Sequence, residues 1–183
     1  MNLGRTINLA AKYSALLGGL TILASAGLVT LEVIIRNLGI NIRLYSFELT
    51  NYAFACAVAF AFAYTTTERS HIRIDLIYRF LPVKMKVFLD IISMLFIFLL
   101  AFGMTYHAWR VVAHSASLNA RPNTSLKIPL AFPQGVWAIG LTFFAIVSFG
   151  LLLRSFFKVF NGQNLEVNKE IGILNGQVDE SPQ

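Results

Sequence analysis

Charged residues are scarce in this sequence, and cysteine is nearly absent. Only 13% of the 183 residues are charged, about half the share of an ordinary soluble domain, and 56% are hydrophobic. This composition excludes a typical soluble domain and favours an integral membrane protein. The single cysteine, Cys56, lies inside an apolar run, so disulfide and metal frameworks are excluded and we expect Cys56 to pack as a small residue.

Residues that carry catalysis are equally few. The three histidines, His71, His107 and His114, are too scattered for a haem held by paired histidines. His71 and Asp75 would supply only two of the ligands that zinc needs. No nucleophile elbow or phosphate-binding loop occurs. We therefore predict no catalytic residue, no metal site, no cofactor and no enzymatic activity in this chain.

Long apolar runs are the main feature that the sequence does have. Four runs lack Asp, Glu, Lys and Arg and are long enough to cross a bilayer, which takes about 20 helical residues. Pro129 and Pro133 interrupt the start of the last run, so its helix is predicted to begin near Gln134. The predicted fold is an all-α integral membrane protein with spans at about 13–35, 47–67, 87–109 and 134–157.

The same runs divide the chain into three parts. Residues 1–12 are predicted to be a cytoplasmic N-terminal segment, and residues 13–158 a membrane domain with four transmembrane helices. Residues 159–183 turn polar and are predicted to be a loosely ordered cytoplasmic tail.

Lysine and arginine are distributed unevenly among the segments that flank the spans. If both termini are cytoplasmic, ten of the 15 basic residues lie inside and five lie outside. The opposite orientation reverses this ratio, so the positive-inside rule predicts cytoplasmic termini. The basic residues cluster between apolar runs, which is typical of contact with anionic membrane lipids and not of nucleic-acid binding.

The second span alternates alanine with larger residues, in the stretch NYAFACAVAFAFAYTTT. An open strand cannot cross lipid with unpaired backbone groups, so a helix is predicted. Helical winding produces two smooth ridges that would let another helix approach closely, Ala53/Ala57/Ala61 and Ala55/Ala59/Ala63. The spacing does not decide whether that neighbour belongs to this chain or to another subunit.

The stretch ERSHIRIDLIYRFLP, residues 68–82, carries six ionisable side chains between two spans. Apolar residues recur every four positions, at Ile72, Leu76 and Phe80. Because Pro82 ends the pattern, we predict a short amphipathic helix at the cytoplasmic interface, between spans 2 and 3. A solvated loop that only satisfies the positive-inside rule is the alternative. His71 and Asp75 among the arginines favour contact with a partner protein, since attraction to lipid requires no acidic residue.

The ionisable residues of the spans lie near the span ends, where side chains can reach the headgroups: Glu32, Glu48, Asp90 and Arg154. The middle of each span lacks charged or strongly polar clusters, whereas a secondary transporter needs a site near the membrane midplane. A self-sufficient, homo-oligomeric transporter that uses Glu32 or Glu48 is therefore the weaker alternative.

Two of these carboxylates have local interpretations. Glu32 has a possible ion-pair partner in Arg36, four residues further along. Glu48 follows a plausible helix cap, Ser46, and its position in the first turn suits the helix dipole. With Asn51 and Tyr52 it forms a polar cluster that is a candidate contact site.

Four stretches, taken in order, resemble a known family: EVIIRNLG, SFELTNY, ERSHIRIDLIYRFLP and TSLKIPLAFPQGVW. Together with the four spans, their order and spacing over roughly residues 10–158 are similar to the DctQ-like family. That family is the small membrane subunit of tripartite ATP-independent periplasmic (TRAP) transporters.

The resemblance implies a non-catalytic scaffold subunit in a bacterial inner membrane. Its partners would be a large membrane subunit, which holds the solute and Na⁺ sites, and a periplasmic binding protein. That protein would deliver an organic acid of the C4-dicarboxylate or sialic-acid type. The resemblance assigns subunit or scaffold contacts to Glu48, His71, Arg73 and Asp75. Weaker assignments are Arg36 and the turn from Gln134 to Trp137.

Overall fold

The computed structural model describes residues 3–40, 42, 44–68, 82–124 and 126–160. Within this part of the chain lie four helices: α1 (Leu3–Asn37), α2 (Ser46–Thr67), α3 (Val83–Ser117) and α4 (Ala131–Phe160). Each is long and apolar enough to cross a membrane. The predicted all-α membrane fold with four spans is therefore confirmed.

Two predicted segments fall outside the described residues. Residues 69–81 contain nearly all of the predicted amphipathic helix, and residues 161–183 contain nearly all of the predicted tail. Both assignments stay predictions.

The helices α1 and α3 are longer than the spans predicted from hydrophobicity. Each contains 35 residues, and at 1.5 Å per residue each is about 52 Å long, against a hydrocarbon core of roughly 30 Å. The sequence prediction ended its apolar runs at charged residues such as Lys12 and Arg110. A charge ends an apolar run without ending the helix, because the helix can continue into the headgroup region.

The start of α4 also differs from the prediction. The helix begins at Ala131 and not near Gln134, and Pro133 is its third residue. Proline is tolerated there because the first N–H groups of a helix have no partner within the helix. The Gln134 amide already donates to the Leu130 carbonyl at 3.2 Å, so the helical hydrogen bonds begin at once.

The turns after α1 and α3 have the same construction. Gly39 has a φ of +74°, and the Ile40 amide donates back to the Ile35 carbonyl at 3.3 Å. After α3, Asn119 has a φ of +47°, and the Ala120 amide donates to the Ser115 carbonyl at 2.9 Å. A left-handed residue followed by this longer hydrogen bond is the Schellman ending, for which glycine and asparagine are suited.

Small residues set the order in which the helices pack. The helix α2 lies against both α1 and α4, and α4 lies against α3. A Cβ atom added at Gly18 would lie 2.9 Å from the Ala57 carbonyl oxygen, and one added at Gly140 would lie 2.9 Å from the Ala59 Cβ. Both separations are too short for a side chain, so α2 approaches α1 through one face and α4 through another.

Hydrogen bonds between helices reinforce this order. The Ser14 hydroxyl on α1 shares its hydrogen between the Ala11 carbonyl of its own helix at 2.8 Å and the Phe60 carbonyl on α2 at 3.2 Å. From α3, the Thr105 hydroxyl donates to the Leu141 carbonyl at 2.9 Å, and the Trp109 indole N–H donates to the Thr142 hydroxyl at 3.0 Å. Such bonds stabilise a bundle in lipid, where helix association gains little from the hydrophobic effect.

One acidic side chain is more buried than predicted. Asp90 was expected to reach the headgroups, but it is 1% exposed and therefore lies inside the bundle. Hydrophobicity patterns place a residue along the membrane normal and do not show which face of its helix is packed. Asp90 is not an isolated charge, since it has an interaction partner.

Candidate functional site

The polar residues singled out in α1, α2 and α4 lie at one end of the bundle. The connection from α1 to α2 and the connection from α3 to α4 meet there. This end comprises the last turns of α1 and α3, the first turns of α2 and α4, and the two connections. We refer to it as the connection end.

Glu48 joins the two connections. Its carboxylate accepts a hydrogen bond from the Thr124 hydroxyl at 2.7 Å and a weaker one from the Leu126 amide at 3.5 Å. Thr124 and Leu126 belong to the connection between α3 and α4, whereas Glu48 lies in the first turn of α2. The α2 helix dipole also favours a negative charge at this position. Glu48 therefore holds the start of α2 against a segment that is distant in sequence.

Glu32 makes a similar link between α1 and α2. Its carboxylate accepts a hydrogen bond from the Ser46 amide at 2.8 Å. Ser46 does not act as the predicted cap. The N-cap residue is Tyr45, which has a left-handed backbone and makes no side-chain capping bond. The Glu32 carboxylate from α1 thus satisfies an N–H group at the start of α2, and its interactions extend beyond the predicted partner Arg36.

Three of the predicted contact residues line one groove. Tyr52 on α2 and Gln134 and Trp137 on α4 surround a space of about 200 Å³, together with Ala55, Leu130 and Pro133. The Gln134 Oε1 atom is buried and has no hydrogen-bond partner among the described residues. A buried amide oxygen without a partner is energetically costly.

The remaining predicted contact residues lie apart from this groove. Arg36 and Asn51 have exposed side chains and do not line it. His71, Arg73 and Asp75 lie outside the described residues, so their predicted role has no structural test.

The alanine ridges of α2 differ in burial. Ala57, Ala59 and Ala63 are at most 3% exposed, and Ala57 and Ala59 face α1 and α4 at the close approaches described above. Ala53 and Ala61 are partly buried, and Ala55 is exposed beside the groove. The neighbours of the buried alanines are helices of this chain.

The interior of the bundle is apolar at mid-depth. Leu141 is fully buried there, and the surrounding clusters consist mainly of alanine, valine, leucine and phenylalanine. Ser148 is fully buried on α4, and its hydroxyl has no hydrogen-bond partner within the described residues. Among the described residues, no three His, Cys, Asp or Glu side chains lie close enough together to hold a metal ion. The described interior therefore consists of apolar packing contacts with isolated hydroxyl groups, and it contains no cluster of ligands for an ion.

Sequence reasoning missed two features of this site. The Thr124 hydroxyl and the Leu126 amide lie in the stretch TSLKIPL, which contributes to the sequence analysis only through the family resemblance. A hydroxyl and an unpaired amide in a connection between spans are hydrogen-bond donors, and they indicate a bond to a nearby carboxylate such as Glu48. The link from Glu32 to Ser46 had no comparable signal, since it depends on how α1 and α2 pack.

The comparisons with known proteins agree with the geometry of a four-span membrane subunit. The family model for the DctQ component of tripartite ATP-independent periplasmic transporters matches residues 25–158. No curated protein and no solved structure gives a match.

Proposed function

We propose a function from one premise: this chain belongs to the DctQ family, the DctQ component of tripartite ATP-independent periplasmic transporters. It is a transporter component with several membrane spans and not a member of an enzyme family. Within the transporter it acts as the small permease subunit and as a scaffold against which the large membrane subunit works.

The apolar interior at mid-depth is the observation that supports the scaffold role most directly. Transported anions and coupling ions need polar ligands near the midplane, which transporters obtain from broken helices and freed backbone groups. The described helices are continuous, and their charged residues lie towards the ends, as with Lys12, Glu48 and Arg154. A subunit of this kind supports a neighbour that carries the solute.

The division of labour in the transporter follows from the same proposal. The large membrane subunit holds the solute and Na⁺ sites, and a periplasmic binding protein delivers an organic acid, of the C4-dicarboxylate or sialic-acid type. The chain resides in the bacterial inner membrane with both termini in the cytoplasm, as the excess of basic residues on that side favours.

Two surfaces contact the large subunit under this proposal. One is the groove of Tyr52, Gln134 and Trp137, because aromatic side chains such as Tyr52 and Trp137 are enriched in protein contacts. Glu48, Asn51 and Arg36 lie at the same end of the bundle. The other surface is the segment 68–82 with His71, Arg73 and Asp75, on the cytoplasmic side.

The alternative is a self-sufficient homo-oligomeric transporter that uses Glu32 or Glu48. Both carboxylates accept hydrogen bonds from other parts of this chain, at the connection end and not at mid-depth. This placement suits structural links better than a solute site.

Copurification and reconstitution test the proposal together. The tagged chain, coexpressed with the large subunit of its transporter, is expected to retain that subunit in mild detergent. Uptake of an organic acid driven by a Na⁺ gradient is expected only when both subunits and the binding protein are present. Asp75→Arg should reduce recovery of the large subunit, whereas Asp179→Arg, the same charge reversal in the predicted tail, should not.

Two results would contradict the proposal. One is a chain that stays alone or self-associates in the presence of the large subunit. The other is solute transport by the chain alone that is lost in Glu32→Gln or Glu48→Gln, which would establish the alternative.

A further inference from the structure

An apolar groove with a lysine at one end runs along α1. It is lined by one stripe of α1 that includes Lys12, Ala15, Gly19 and Leu23, and by Tyr64 of α2, and its volume is about 580 Å³. From Lys12 to Leu23 the stripe is about 16 Å long, at 1.5 Å per residue. We refer to it as the Lys12 groove.

The floor of the Lys12 groove is open because two of its residues are small. A Cβ atom added at Gly19 would have no neighbour within 4 Å, so the space beside this residue is empty. Leu16 and Leu20 stand beside it and are more than half exposed. Ala15 and Gly19 therefore leave an open trough along the surface of α1. A single alkyl chain fits such a trough better than a helix, which is about 10 Å across.

The charge at the end of the groove selects the kind of alkyl chain. The Lys12 side chain is exposed and, within the part of the chain that the structure describes, has no carboxylate partner. Lys12 immediately precedes the long uncharged run of α1, and Tyr64 lies close to the end of α2. A lysine and a tyrosine at the ends of spans are expected at headgroup level, where both can donate hydrogen bonds to a phosphate.

We propose that the Lys12 groove is a binding site for one anionic phospholipid of the cytoplasmic leaflet. The phosphate lies at Lys12 and Tyr64, and one acyl chain follows Ala15 and Gly19 towards Leu23. The choice of leaflet rests on the orientation proposed above, and anionic lipids attract basic residues on the cytoplasmic surface. The lipid would lie against the exposed side of α1, next to Tyr64 of α2. Of the four spans, α1 is the least buried.

Lipid binding to the purified full-length chain tests the proposal without any other subunit. In native mass spectrometry, phosphatidylglycerol is expected to bind more tightly than phosphatidylcholine of the same acyl composition. Lys12→Gln should weaken phosphatidylglycerol binding about fivefold, the equivalent of roughly 1 kcal/mol for one basic residue near an anionic surface. Lys12→Arg should restore it, and Arg121→Gln, which removes an exposed positive charge at the connection end, should leave it unchanged.

The groove itself is tested with two glycines on the same helix. Gly19→Leu should fill the trough and lower the binding of both lipids, while Gly27→Leu should leave binding unchanged, since both positions have free space for a side chain. Circular dichroism checks that both variants keep their helices.

Several outcomes would overturn the proposal. They are equal binding of the two lipids, equal effects of Lys12→Gln and Arg121→Gln, and equal effects of Gly19→Leu and Gly27→Leu. If Gly19→Leu reduces recovery of the large subunit while phosphatidylglycerol binding is unchanged, the groove is a protein contact and the lipid assignment is wrong. If no large subunit copurifies with the chain, the scaffold proposal is contradicted. The lipid measurements are made on the purified chain by itself, so they are not affected by that result.

Discussion

Glu48 shows how much of the architecture depends on one side chain. Its partner Thr124 is 76 positions away in sequence, yet their side chains are in direct hydrogen-bond contact. The bond connects the start of α2 to the segment that leads into α4, so it fixes two helices at the connection end. A carboxylate that joins two segments in this way has a structural role, so the presence of an acidic residue is not by itself a sign of ion transport.

Removal of the Thr124 hydroxyl is expected to destabilise the bundle. Thr124→Val keeps the shape of the side chain and removes the closest donor of the Glu48 carboxylate. The bond is exposed, so water can partly replace the donor, and the expected cost is about 0.5–1 kcal/mol. Denaturation of the purified chain by sodium dodecyl sulfate measures the change in free energy of unfolding. Thr124→Ser retains the hydroxyl and should be close to the parent. If Thr124→Val is as stable as Thr124→Ser, the hydrogen bond contributes nothing.

Residues of the candidate site could be chosen from the sequence, but their arrangement could not. Tyr52, Gln134 and Trp137 were singled out for their polarity and for the stretches that contain them, and they line one groove. The buried Oε1 atom of Gln134 could not be foreseen, because it depends on the packing of α2 against α4. A single sequence contains no direct record of which helix faces meet.

At the level of the helices, hydrophobicity identified each span and misjudged its ends. Apolar length is a strong signal for a membrane helix, and all four were found. Helix ends depend on backbone hydrogen bonds, so Pro133 could lie inside the first turn of α4 and Lys12 inside α1. The two alanine ridges indicated close packing of α2, and only the structure relates Ala57 to α1 and Ala59 to α4.

Close packing of α2 is expected to make two glycines irreplaceable. In Gly18→Ala the new methyl group meets a backbone carbonyl oxygen at 2.9 Å, and backbone cannot rotate away as a flexible side chain can. We expect a loss of about 1–3 kcal/mol in the free energy of unfolding, as for other overpacked sites. Gly140→Ala should also destabilise, because its methyl group meets the Ala59 Cβ.

Gly103→Ala is the matched control for these variants. Gly103 lies within α3, and an added Cβ there has no neighbour within 4 Å. Alanine is the better helix former by up to ~1 kcal/mol, so this variant should be neutral or more stable. The same denaturation assay compares all three. A stability of Gly18→Ala equal to that of Gly103→Ala would mean that α1 and α2 are not in close contact at this point.

In the bundle as a whole, α2 and α4 lie between α1 and α3, and one buried cluster includes side chains from all four helices. The helix α1 packs chiefly on α2 and is the least buried span, so most of its apolar surface faces outward. In a membrane this surface contacts lipid or another subunit, as expected of a component that works beside a larger partner. The bundle also buries a polar side chain near one of its ends, because Asp90 at the start of α3 is only 1% exposed.

Orientation in the membrane governs both proposals, because it decides which leaflet Lys12 and the segment 68–82 face. With Cys56 replaced by serine, the chain has no cysteine, and single cysteines can be added at Asn123, in the connection from α3 to α4, and at Gln183. In spheroplasts, a maleimide that cannot cross membranes is expected to label Asn123→Cys and to label Gln183→Cys only after permeabilisation. The reason is the excess of basic residues on the side of the termini, because the more basic side of a membrane protein stays in the cytoplasm.

The reverse labelling pattern would place Lys12 and residues 68–82 on the periplasmic side. The lipid at Lys12 would then have to come from the other leaflet, and the contacts assigned to Asp75 could not form in the cytoplasm.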